Sequence, residues 1–210
     1  GITLNPKMAA GVDTNQGLVY SVTWPAPKRS YDGVTVSLNK NFSSRWLATA
    51  SYTYSVLQGN YPGLFRSENA QLDPNITSEY DLVSLLGNKM GPLAGNRTNQ
   101  VKAAGSYTQP LSPGMNLILG GVFTALAGQP VGVLGSHPLY GAGESYLLPR
   151  GFAGNLPWTF NLDLSAKLQW AISGPYTLTI SVDALNVLNG TAVQNVDQIY
   201  TQDFLNPAQG

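Results

Sequence analysis

From Trp158 to Trp170 the chain reads Trp-Thr-Phe-Asn-Leu-Asp-Leu-Ser-Ala-Lys-Leu-Gln-Trp, apolar at every even position and polar at every odd one. A side-chain period of two belongs to an extended strand, so the run predicts a strand with one apolar and one polar face. Strands of soluble sandwiches alternate too, but they are usually about five or six residues long. Here the alternation holds for more than twice that length. At ~3.3 Å per residue and a tilt of about 40°, the two tryptophans stand roughly 30 Å apart along a barrel axis, the height of the apolar band and aromatic girdles of an outer-membrane strand. Asp163 and Lys167, on the polar face, then look into a wet interior.

The same period recurs along the chain. Gly1 to Asn15 is irregular, and Leu18, Tyr20, Val22 and Trp24 line a short strand that Pro25 and Pro27 end. Tyr31 to Phe42 sets Val34, Val36, Leu38 and Phe42 against Thr35, Ser37, Asn39 and Asn41, and Ser43-Ser44 turns the chain. Arg45 to Val56 sets Trp46, Ala48, Ala50, Tyr52, Tyr54 and Val56 against Thr49, Ser51, Thr53 and Ser55. Asn99 to Gln109, Met115 to Ala125 and Tyr176 to Ala184 repeat the pattern, which makes about seven strands. Their connections differ in kind. Ser43-Ser44, Pro110 to Gly114 and Ser173 to Pro175 are tight, whereas Leu57 to Thr98 and Leu126 to Pro157 are long loops, the first with a helical turn at Tyr80 to Leu86. The tail from Asn186 is loop-like. Short turns at one end and long loops at the other mark an up-and-down antiparallel transmembrane β-barrel.

Composition narrows the alternatives. Charged residues are only 10% of the 210, against a usual value of about 25%. Eleven basic and eleven acidic residues balance, which gives no electrostatic case for nucleic acid. Nothing approaches the ~18 consecutive apolar residues of a membrane helix. Cysteine is absent, and with it disulfides, thiol nucleophiles and cysteine metal sites. The first residues lack a charged segment followed by an apolar one, so a signal peptide is expected to be absent or already removed.

Candidate chemistry is sparse. Ser136 and His137 are adjacent, but neighbours in an extended chain point apart and no Gly-x-Ser-x-Gly elbow surrounds a serine. Asp73, Asn75, Glu79 and Asp81 are rich in oxygen but lack the spacing of a calcium loop, and turns and caps explain them. No catalytic, cofactor or metal site is expected. Arg66, Arg97 and Arg150, with Asp73, Asn75 and His137, are the loop residues that could meet a ligand at the outer mouth; solvation of the arginines, or pairing with nearby acids, is the plainer alternative. Trp46, Tyr52, Tyr54, Tyr107, Trp158, Trp170 and Tyr176 lie on apolar faces, most near strand ends, where girdle aromatics are expected.

The loops carry a family likeness. Gly59-Asn-Tyr-Pro-Gly63, Asp73-Pro-Asn75, His137-Pro-Leu-Tyr-Gly141, Leu148-Pro-Arg-Gly151, Asp183-Ala-Leu-Asn-Val-Leu-Asn189 and Tyr200-Thr201, in that order, resemble the C-terminal part of Oar-like TonB-dependent outer-membrane receptors. That resemblance implies a plugged barrel of about 22 strands in the bacterial outer membrane. It implies a non-enzymatic transporter that is driven by the TonB system through the plug. Its partners would be outer-membrane lipid, the remaining barrel and plug, and a transported ligand. With about seven strands and neither plug, TonB box nor last strand, residues 1–210 are expected to be a partial barrel domain. Two open edges cannot stand in a bilayer. The other reading is a free-standing soluble all-β protein, a ligand binder or hydrolase, derived from such a segment.

Overall fold

The computed structural model describes residues 10–13, 18–21, 25–69, 71 and 78–203, the first two segments as backbone alone. Two short strands, β1 (Ala10–Asp13) and β2 (Leu18–Ser21), pair with each other. Six long strands follow: β3 (Arg29–Ser43), β4 (Trp46–Gly59), then, after the two-residue β5 (Gly91–Pro92), β6 (Asn99–Ser112) and β7 (Met115–Leu126). A small hairpin, β8 (Leu134–His137) and β9 (Gly141–Tyr146), precedes β10 (Thr159–Ser173) and β11 (Tyr176–Ala184). The main sheet runs β11-β10-β7-β6-β4-β3, antiparallel throughout, with β5 beside β4. It is an up-and-down wall with edges at β3 and β11, as the alternation predicts.

Register makes the apolar positions one surface. Leu164 stands opposite Gly121 and Ala184, Gly121 opposite Gly105, and Gly105 opposite Ala48. One row higher, Leu162, Phe123, Ala103, Ala50 and Leu38 are successive partners. A slip of one residue anywhere would mix the two faces, so the period fixes the pairing. This surface is bare: Leu38 is 71% exposed and Val182 67%. In water such a contiguous face would be a liability; against lipid it is the expected outside of a barrel wall. The opposite face carries Thr35 bonded to Thr53 at 2.9 Å, and Thr49 donating to Asn39 at 2.7 Å.

All three tight turns lie at one end. Ser44 and Arg45 both have positive φ, 52° and 71°, the conformation whose twist suits a two-residue hairpin. Gly114 (φ 78°) and Gly174 (φ 55°) serve the other two. The expected turn at Ser43-Ser44 therefore falls one residue later, with Arg45 in the turn rather than the strand. Lys40 occupies an outward position near this end, opposite Ala48. Its ammonium bends back to Ser43 Oγ at 2.7 Å and the Ser43 carbonyl at 3.0 Å, and lies 4.1 Å from the Trp46 ring centre. The long stem thus crosses apolar surface while the charge returns to polar groups.

Several expectations are corrected. The strand over Leu18 to Trp24 does not join the wall: β2 pairs with β1, inside the stretch expected to be irregular, and Val22 and Trp24 lie outside the described residues. The seventh member of the sheet is β5, too short to show any period. The second long loop contains the β8–β9 hairpin, whose glycines and four- and six-residue strands hide the alternation. The helical turn is a single 3-10 turn at Val83–Leu85. The tail is mostly irregular, but Ile199 bridges Leu134 in parallel, on the side of β8 away from β9.

A charge at the centre of the outward face should be costly. Leu164→Arg is expected to lose about 2–4 kcal/mol of stability in lipid bilayers. Thr179→Arg, on the polar face, should lose far less; denaturant titration in bilayers measures both.

Candidate functional site

Strand ends on the apolar face place the aromatics in two belts. Trp46, Tyr107, Trp170 and Tyr176 lie towards the tight turns, Trp46 and Tyr107 as direct partners across β4 and β6. Tyr52, Tyr54 and Trp158 lie towards the long loops, with Trp158 stacked on Phe160 at 6.0 Å between ring centres. Each of these aromatics is exposed. The apolar side chains between the belts include Ala48, Ala50, Leu162, Leu164 and Leu168.

Beyond the second belt the burial pattern inverts. There the long loops gather into one head, whose interior holds Leu85, Leu93, Leu134 and Tyr146 together with Arg66 (1% exposed), Glu79 (0%) and Lys89 (3%). Charges are almost never fully buried unless paired, and these are paired between loops. Arg66, from the first loop, reaches Glu79 at 3.3 Å and Glu144 of β9 at 2.7 Å, and donates to the Gly143 carbonyl at 2.9 Å. Ser78 donates to the same Glu144 carboxylate. Arg150, from the second loop, holds Glu68 at 3.0 Å and Glu79 at 2.8 Å. The Tyr146 ring lies beside both guanidinium groups, 5.2 Å from Arg66 and 4.6 Å from Arg150, and its hydroxyl donates to Glu68 at 3.2 Å. Lys89 donates to the Glu79 carbonyl at 2.5 Å. Among the described residues, Arg66, Arg150 and Lys89 thus gather about the carboxylates of Glu68, Glu79 and Glu144.

Main-chain bonds reinforce the joint. The Arg150 amide donates to the Asn88 carbonyl at 2.9 Å, and the Asn88 side chain donates to the Tyr146 and Leu147 carbonyls at 3.1 Å. A side chain at Gly91 would come 2.5 Å from the Arg150 carbonyl oxygen, so glycine is required by the close approach. Arg97 donates to the Ala127 carbonyl at 2.8 Å, which ties the end of the first loop to the start of the second. The chain after β11 closes over the same end. Asn186 and Asn189 take positive φ (49° and 48°), the Asn186 amide donates to Asp163 at 2.7 Å, and Val187 donates to the Leu162 carbonyl at 2.8 Å.

Of the residues expected at the outer mouth, Arg66, Arg150 and His137 are buried and spend their polar groups inside the head. Arg97 is engaged between loops, and Asp73 and Asn75 lie outside the described residues. Glu79 and Asp81 do not share a cation: Glu79 meets the two arginines, and Asp81 accepts from the Tyr140 hydroxyl at 2.9 Å. Among the described residues no group of three acids or histidines is arranged for a metal ion. His137 pairs with Ser84 at 2.9 Å rather than with its neighbour Ser136. The Leu139 amide donates to His137 Nδ1 at 3.2 Å, so the ring proton sits on Nε2 and points at Ser84. In that tautomer His137 donates to Ser84 rather than accepting its proton, so this pair is not arranged as nucleophile and base. Glu68, Glu144, Tyr146 and Lys89 escaped the sequence reading. The only signal was that glutamates and arginines, scarce elsewhere, concentrate in the two loops.

Burial lowers Lys89 from its ordinary 10.5 to about 7, against the attraction of Glu79 and with the repulsion of Arg66 and Arg150. Burial likewise pushes Tyr80 up to about 12, helped by Glu79. Between about pH 7 and 10 the opened chain binds a proton at Lys89 that the closed head does not, so head stability rises with pH across that window. Denaturant midpoints for head opening at pH 7, 8 and 9 should increase, and Lys89→Met should flatten the series. Glu79→Gln, which leaves two buried guanidinium groups short of a counter-charge, should cost about 3–5 kcal/mol of head stability. Faster proteolysis of the segment 138–143 would report it.

Comparison with known proteins supports the likeness read from the loops. The chain is 40% identical over 196 residues to the TonB-dependent transporter Oar of Myxococcus xanthus. The match covers 93% of this chain and 18% of that relative, so the chain spans about a fifth of the length of the curated relative it matches. No family model matches the chain, and no solved structure does.

Proposed function

We propose that the chain forms part of the wall and the outer loop head of a TonB-dependent transporter in the bacterial outer membrane, without enzymatic activity. The observation that carries this reading is the apolar face shared by six antiparallel strands, interrupted near the tight turns by Lys40 and belted by aromatics at both ends. The similarity to Oar over nearly the whole chain supports it independently. In this reading further strands of the same barrel pair with the edges of β3 and β11, because unpaired backbone groups cannot face hydrocarbon. A plug inside the barrel couples transport to the TonB system, lipid covers the outward face, and the polar face lines the interior. Arg66, Arg150 and His137 serve the ligand indirectly, by holding the outer loops in one shape. Arg97 links those loops, and Asp73 and Asn75 remain candidates for direct contact.

The absence of cysteine makes the topology simple to test. Leu139→Cys, in the exposed tip of the β8–β9 hairpin, should react in whole cells with a membrane-impermeant maleimide. Gly174→Cys, in a tight turn, should react only after the outer membrane is opened. The reverse pattern, or equal labelling of both in a soluble extract, contradicts the proposal.

A further inference from the structure

The first long loop closes a hollow that the ion-pair network does not use. Its volume is about 480 Å³, and its lining includes Arg29, Leu57, Gly63, Leu64, Phe65 and Leu93. The floor is fixed. Leu93 is 1% exposed and its amide donates to the Leu57 carbonyl at 3.1 Å, while the Leu57 amide donates to Asn96 at 2.7 Å. The wall is open and apolar: Leu64 is 50% exposed and Phe65 52%. Arg29 and Leu57 sit in register positions of the polar face, since Arg29 is paired with Gly59 and Leu57 with Tyr31. The hollow therefore stands at the loop end of the wall, on the side away from the lipid-type face.

Arg29 gives the hollow its sign. Its Nη1 donates to the Pro62 carbonyl, and Gly63, at φ 109°, allows the chain to pass so close that a side chain there would come within 2.9 Å of Nη1. A guanidinium has five N–H donors. No other acceptor or carboxylate stands against this one among the described residues, and every other lining residue is uncharged. An exposed cation that donates to the Pro62 carbonyl, beside exposed leucine and phenylalanine, suits an anion with an apolar body, and the volume lies within the range of about 300–1,000 Å³ usual for small-molecule sites.

We propose that this hollow binds a small organic carboxylate, its charge on Arg29 and its apolar body against Leu64, Phe65 and Leu93. Its place at the outer mouth rests on the reading above, but binding itself does not require transport. The test uses the full-length protein in nanodiscs, titrated with 3-phenylpropanoate and with the neutral 3-phenylpropan-1-ol. Saturable binding of the acid about tenfold tighter than the alcohol is expected, from one charge-assisted contact. Arg29→Gln should bring the acid down to the level of the alcohol, Arg29→Lys should restore part of the difference, and Phe65→Ser should weaken both ligands. Equal affinity of acid and alcohol, an acid preference that survives Arg29→Gln, or no saturable binding would overturn the site. None of these outcomes alters the labelling pattern that tests the membrane topology, so the two readings fail separately.

Discussion

Hydrocarbon offers a peptide group no hydrogen bond, so a chain that crosses it in strands must pair every strand and must keep apolar side chains on the outer side of the pairing. Both demands fall on the same residues here. The ladder from β3 to β11 is continuous, its register shifting only beside the three tight turns, and that register brings Leu38, Ala50, Ala103, Phe123 and Leu162 side by side. The tight turns, the belts of Trp and Tyr, and the folding back of Lys40 onto Trp46 all follow from holding that surface at a fixed depth. Even the glycines opposite one another at 105 and 121 sit within it as small members of an apolar row.

Beyond the aromatic belts the rule changes. The described interior of the head buries few large apolar side chains, and it closes on ion pairs. Two arginines from different loops share Glu79, and each holds a second glutamate, with Tyr146 packed beside both. Burying such a set costs desolvation that the pairing roughly offsets, so its main effect is specificity: the two loops must be arranged so that both guanidinium groups meet Glu79. A rigid head over the end of a barrel wall is a frame on which contact residues can be held in place. Ser84 and His137 belong to that frame, since the His137 tautomer makes their contact a structural hydrogen bond.

The wall was legible from sequence because its physics is local. A period of two needs no knowledge of distant residues, and the run from Trp158 to Trp170 states both faces and the span by itself. The head was not legible. Glu68, Glu79 and Glu144 are each ordinary loop acids until the fold brings them to Arg66 and Arg150 across two loops, and no spacing encodes that. The β8–β9 hairpin was hidden for a related reason, as His137 and Tyr146 are buried on a short, glycine-rich hairpin by packing that comes from elsewhere. Lys40 interrupts the apolar pattern of its strand, and only its contacts explain why it is tolerated.

The central claim is that one face of the sheet meets lipid and the other meets water. Spin labels placed singly from position 159 to 169 in the full-length protein, in bilayers, measure this directly. Even positions should be accessible to oxygen, most of all near Leu164, and odd positions to a water-soluble nickel complex, in strict alternation. Alternation that reports water on the even face, or protection of the even face from oxygen throughout, would contradict the account.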